Sequence, residues 1–111
     1  LSLGNQDIYL NIAGGMKLSE PAVDLGVAVT VASAYKNMPI AKDVVIIGEV
    51  GLTGEVRRIN LIEKRLKEAE KLGFKKCIIP ENNKKVLKDE YKLDIIGVKN
   101  IGEALKKLGI K

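Results

Sequence analysis

Ser19-Glu-Pro-Ala-Val-Asp-Leu-Gly-Val-Ala-Val-Thr-Val-Ala-Ser-Ala-Tyr35 is the stretch on which the architecture turns. Its valines suit a strand, but a run of about 17 residues is too long for one and ordinary for a helix. Ser19 offers a capping hydroxyl and Pro21 an early-turn proline, while Asn37-Met-Pro39 stops the run, so the spacing predicts a helix over 20–36. Apolar residues occupy nearly every face of it, which places this helix in the middle of the domain. Asp24 interrupts the run, which falls short of the ~18 uninterrupted apolar residues that a membrane span requires. No membrane partner is expected.

Upstream, Asp7-Ile-Tyr-Leu-Asn-Ile12 alternates polar and apolar residues with period two and stops at Ala13-Gly-Gly15, the pattern of a half-buried strand. Downstream, Asp43-Val-Val-Ile-Ile-Gly-Glu-Val50 is a continuous apolar run suited to a central strand. Gly51-Leu-Thr-Gly54 turns it into Glu55-Val-Arg-Arg-Ile59, which predicts a hairpin. Asn60 is the expected cap of a helix carrying Ile62, Leu66, Ala69 and Leu72 on one stripe, with Gly73 as its stop. A short strand at 77–80, a short helix or loop over 81–89, a strand at 93–98 and a helix at 101–108 complete the order. The whole reads as one α/β sandwich domain over 1–111, a mixed sheet packed with helices.

Composition narrows the chemistry. There is no histidine and a single cysteine, so the usual zinc ligand sets and the Ser-His-Asp and Cys-His arrangements are excluded within the chain. Cys77, inside an apolar strand, reads as a small buried hydrophobe. Serine-lysine and carboxylate pairs are the hydrolytic options that remain. Gly14-Gly-Met-Lys-Leu-Ser19 fails the phosphate-loop pattern, because Leu18 separates Lys17 from Ser19. Asp24 falls in the first turn of the predicted helix, where the dipole favours an anion, and it reads as a structural or interface residue rather than a catalytic one. Glu49 is expected to anchor the hairpin or to pair with an arginine. The net charge of +5, from 19 basic and 14 acidic residues interspersed, permits a polyanionic partner. One Phe, three Tyr and no Trp are a poor supply of stacking platforms for single strands.

Taken together, Leu3-Gly-Asn-Gln-Asp7, Asn11-Ile-Ala-Gly-Gly15, Glu20-Pro-Ala-Val-Asp-Leu25, Gly48-Glu-Val-Gly-Leu-Thr-Gly-Glu-Val-Arg57 and Glu68-Ala-Glu-Lys-Leu-Gly-Phe-Lys-Lys-Cys-Ile-Ile-Pro80 resemble the Lon-protease-like C-terminal domain of the RadA/Sms family of bacterial DNA repair proteins. The resemblance implies a fold like the Lon proteolytic domain and the second domain of ribosomal protein S5. It also implies that more of this domain, a zinc finger and a RecA-like ATPase precede Leu1, and that ATP, Mg and Zn belong to those parts, with no cofactor in this chain. A cytoplasmic location is expected from the sequence itself, since no positively charged leader with a small-residue cleavage site opens the chain. Lon proteases carry Lys-Asp-Gly-Pro-Ser-Ala-Gly at this helix start. Aligning the shared proline with Pro21 puts Ala22 in the place of the nucleophilic serine. Counting back from Gly73 puts Glu63 in the place of the catalytic lysine, with Lys64 beside it. The implied role is a pseudo-protease domain that forms homo-oligomeric, hexameric rings and contacts duplex or branched DNA. A serine peptidase with an unrecognised nucleophile and a pure oligomerisation scaffold are the alternatives.

For the DNA contact, Arg57, Arg58, Lys64 and Arg65 are the candidates, gathered by sequence around the hairpin and the start of the following helix. The competing reading pairs these cations with Glu55, Glu63 and Glu68 on a solvated face.

Overall fold

The computed structural model describes residues 20–111. The strand expected at 7–12, the Gly14–Ser19 turn and the Ser19 cap lie outside these residues. Pro21–Val23 forms a single 3-10 turn that runs directly into helix α1, Asp24–Lys36. Pro21 suits the first turn, where its missing N–H is not needed. Asn37 ends the helix in the left-handed region at φ 54°, its N–H donating to Ala34 O at 3.1 Å while Met38 N donates to Ser33 O at 3.0 Å.

Three strands, β1 (Val44–Ile46), β4 (Lys76–Pro80) and β5 (Asp94–Val98), form a parallel sheet in that order. Because side chains alternate across a strand, the sheet divides the core in two. On one face Val45, Cys77 and Ile79 pack with Ile62, Leu66 and Ala69 of helix α2 (Ile62–Lys71). On the other, Val44, Ile46, Ile78 and Val98 pack with Leu25 and Val29 of α1 and Ala104 of helix α4 (Ile101–Lys107). Helices therefore cover both faces, and the expected α/β sandwich is the observed architecture. Cover on both faces is why β1 is buried at every residue, as its unbroken apolar sequence requires.

Several local expectations change. The run from Asp43 does not continue to Val50, and among the described residues β4, rather than β1, is the central strand. The chain leaves the sheet at Gly48, whose N–H donates to Ala22 O at 2.8 Å and whose carbonyl accepts from Leu25 N at 2.9 Å. The start of α1 thus takes over the backbone groups that a neighbouring strand would have used. A Cβ at position 48 would stand 3.0 Å from Val56 Cγ1 and 3.3 Å from Leu25 Cδ2, so a side chain there would force these neighbours to give by a few tenths of an ångström. Beyond it, β2 (Glu49–Val50) and β3 (Val56–Arg57) make the hairpin as a separate two-stranded ribbon.

Helix α1 is central on one side only. Leu25 and Val29 are fully buried, whereas Val31 and Tyr35 stand exposed, so the apolar band is wider than the surface that the described residues cover. Asn60 does not cap α2. Leu61 precedes the helix in the left-handed region at φ 59°, no side chain caps it, and the Asn60 carbonyl instead accepts from Arg65 Nε at 3.2 Å. Gly73, at φ 89°, follows its last turn as expected, but Leu72 falls off the buried stripe. Helix α3 (Glu81–Lys84) is a single turn within the 81–89 segment. Among the described residues no helix is long and apolar enough to cross a membrane.

Candidate functional site

The start of α1, the end of the hairpin and the start of α2 meet around a depression of about 290 Å³. Ala22, Arg58, Asn60 and Arg65 line it together with Glu20 and Glu49. Ala22 is buried and offers only a methyl group, while its carbonyl is held by Gly48. Arg65 Nη2 lies 3.3 Å from Glu20 Oε2, and only a fifth of the arginine side chain is exposed. A guanidinium stays protonated at any physiological pH, so this cation does not accept a proton. The depression thus holds an ion pair and a second carboxylate, Glu49, and among the described residues no hydroxyl, thiol or amine side chain lines it.

Glu63 is not among the residues that line this depression. It accepts from Lys88 N at 3.0 Å and from the Tyr91 hydroxyl, holding the loop before β5 against α2. The Tyr91 hydroxyl and the Lys88 N–H lower the Glu63 pKa below its ordinary value. Burial, with the Glu63 carboxylate beside it, pushes the Tyr91 phenol up. Glu70, accepting from Lys92 N, and the Lys67–Asp89 pair at 3.1 Å bind the same loop.

The hairpin is organised by acids. Asp24 Oδ2 accepts from Val50 N at 3.1 Å, which joins the first turn of α1 to β2 and gives this acid the structural role expected of it. Glu49 faces Arg57 at 3.7 Å. Glu55 accepts from the Thr53 hydroxyl at 2.6 Å and faces Arg57 Nη2 at 3.0 Å. The Thr53 hydroxyl, the Glu55 backbone N–H and the Arg57 guanidinium hold the Glu55 carboxyl down to about 2. At the tip, Leu52 is fully exposed.

The four candidate cations therefore separate. Arg57 is engaged by Glu49 and Glu55, and Arg65 by Glu20. Among the described residues, Arg58 and Lys64 have no carboxylate within 4.0 Å. Arg58 and Arg65 share the Ala22 depression, whereas Arg57 and Arg58 share a second one of about 380 Å³ with Glu81 and Lys99. Lys64 lines neither. Cys77 is fully buried and its thiol is pushed up by burial, out of reach of surface chemistry.

Two organising residues escaped the sequence reading. Asn83, 2% exposed, accepts from Ile59 N at 2.9 Å and donates to Ile59 O at 3.0 Å, pinning the segment after Arg58 to α3. Nothing in the polar stretch from Glu81 marked this one amide as buried. Asn100 caps α4 by accepting from Glu103 N at 2.8 Å, while Glu103 accepts from Lys99 N at 2.8 Å. The Asn100-x-x-Glu103 spacing was the available signal for that cap.

The sequence family described as subunit ChlI of Mg-chelatase matches residues 1–83. The chain is 56% identical over 107 residues to the DNA repair protein RadA of Listeria monocytogenes, an alignment covering 96% of this chain and 23% of that protein. It is 51% identical over 108 residues to the DNA repair protein RadA of Streptococcus pneumoniae, covering 97% of this chain and 26% of that protein. Against the DNA repair protein RadA of Bacillus subtilis the identity is 51% over 106 residues, covering 96% and 23%. The chain spans about a quarter of the length of these relatives.

Proposed function

Since this chain belongs to the family described as subunit ChlI of Mg-chelatase, and DNA repair proteins called RadA match nearly all of it, we propose that it is a non-catalytic, Lon-like domain of a RadA-type DNA repair ATPase. It serves ring assembly with further copies and a sequence-independent contact to duplex DNA. The ATPase and zinc-binding functions, with their ATP, Mg and Zn, reside in other parts of the protein. The observation that carries the reading is the Ala22 depression, in which the Arg65–Glu20 ion pair lies beside a methyl group.

Assembly is supported by Leu52, a large apolar side chain left fully exposed at the tip of the hairpin. Phosphate contact is supported by the net charge of +5 and by Arg58 and Lys64, which are held in no ion pair among the described residues.

The test combines three measurements on one preparation: labelling by an active-site serine probe, mass in solution and salt-dependent binding to a duplex. The expected result is no labelling, a self-associated species and duplex affinity that falls with salt. Labelling of Ser2, Ser19 or Ser33 above a denatured control would restore the peptidase reading. Self-association without duplex binding would leave a pure scaffold.

A further inference from the structure

The hairpin and the turn between β5 and α4 are stitched into one surface. Val56 N donates to Lys99 O at 2.8 Å, Ile101 N donates to Gly54 O at 3.0 Å, and Glu55 bridges Asn100. This surface lies at the carboxyl ends of β4 and β5, where open parallel sheets place their ligand crevices. Two depressions adjoin here and share Glu81 and Lys99. One contains Arg57 and Arg58, the other, of about 720 Å³, Lys106 and Lys107. Among the described residues, Arg58, Lys99, Lys106 and Lys107 have no carboxylate within 4.0 Å. The frame beneath them is rigid, because Asn83 clamps the backbone next to Arg58 and the Asn100–Glu103 cap fixes the backbone at Lys99.

We propose that Arg58, Lys99, Lys106 and Lys107 form the duplex-phosphate site of this domain, a track along the carboxyl rim of the sheet. The inference rests on the duplex contact of the proposed function and moves its centre from the start of α2 to this rim. Lys99 lies two residues before α4 and Lys106 and Lys107 lie in its last turn, so the cations flank a helix of seven residues that rises roughly 10 Å. That length corresponds to about three nucleotide steps of one strand at 3.4 Å each, so the track suits successive phosphates rather than one isolated anion. Arg57 contributes less, since Glu55 and Glu49 already face it. Glu81, shared by both depressions, opposes the phosphates together with Glu103 in the larger one and Glu55 in the smaller, and these acids limit the affinity.

The experiment is a titration of the 111-residue chain with a fluorescently labelled, mixed-sequence duplex across a range of salt concentrations. Lys99→Gln, Lys106→Gln and Lys107→Gln are made singly and together, with circular dichroism checking each fold. Each single substitution should reduce the slope of log affinity against log salt by about 0.9, and the triple variant by about 2.7. Glu81→Gln should raise affinity by removing a repulsion. A parent chain that binds duplex while the triple variant keeps its slope would overturn the rim site and leave the duplex contact standing. A parent chain that does not bind duplex at all would overturn both.

Discussion

Arg65 Nη2 sits 3.3 Å from Glu20 Oε2, an ion pair between residues 45 apart in the chain that lines the same depression as Ala22. The pair determines what a restored hydroxyl would meet. Ala22→Ser would place an alcohol in a depression that no lysine lines and whose carboxylates, Glu20 and Glu49, already face Arg65 and Arg57. The variant is expected to remain unlabelled by a fluorophosphonate probe and to leave casein intact, and a labelled Ser at position 22 would refute this account.

Asn83 is the buried clamp of the 58–60 segment. Asn83→Ala would strand both backbone groups of Ile59, at a cost of about 2 kcal/mol. The exposed neighbour provides the control, since Asn82→Ala should change stability by less than about 0.5 kcal/mol. Urea unfolding of the two variants measures the difference, and equal midpoints would show that the clamp contributes nothing.

Acid should loosen the hairpin before it unfolds the core. The Glu55 pKa is lowered in the fold from 4.5 to about 2, first by the Thr53 hydroxyl. A carboxyl with a depressed folded value adds stability above its unfolded value, and that stability is lost as the pH falls through the folded one. The window therefore runs from about pH 4.5 down to about pH 2. Amide shifts of Thr53 and Glu55 followed by NMR should titrate near the lower value, and Glu55→Gln should abolish the transition. A midpoint near 4.5 would contradict the bonded geometry.

Thr30 carries a buried hydroxyl with no hydrogen-bond partner among the described residues. Thr30→Val keeps the shape and removes the unsatisfied group, so it should stabilise the fold by about 1 kcal/mol. Calorimetry should show a rise in Tm of about 5 °C. A fall in Tm would mean that the hydroxyl has a partner after all.

Elements with strong periodicity or explicit punctuation were legible. The long apolar run became α1, the stripe of Ile62, Leu66 and Ala69 became the buried face of α2, and Gly73 ended it. The Gly51–Gly54 turn produced its hairpin, and Asp24 and Glu49 took structural partners. Misreadings arose where a local rule competed with a distant contact. Asn60 has the chemistry of a cap, yet its carbonyl serves Arg65 and the helix begins after Leu61. Asp43–Val50 has the pattern of one strand, yet Gly48 is drawn to the start of α1.

By itself the sequence determined the long apolar helix, the buried stripe of α2, the hairpin turn, the sandwich class, the absence of histidine chemistry and the methyl group at position 22, because each is a property of residue type and short-range spacing. Tertiary structure alone decided which charges neutralise one another. Arg57 and Arg65 meet Glu49, Glu55 and Glu20, while Arg58, which lines a depression with each of them, has no carboxylate within 4.0 Å among the described residues, although nothing in their spacing separates these arginines. The physical reason is range. Backbone preference acts over a few residues, whereas a salt bridge or a buried amide such as Asn83 depends on where the sheet and its crossovers bring together segments that lie tens of residues apart.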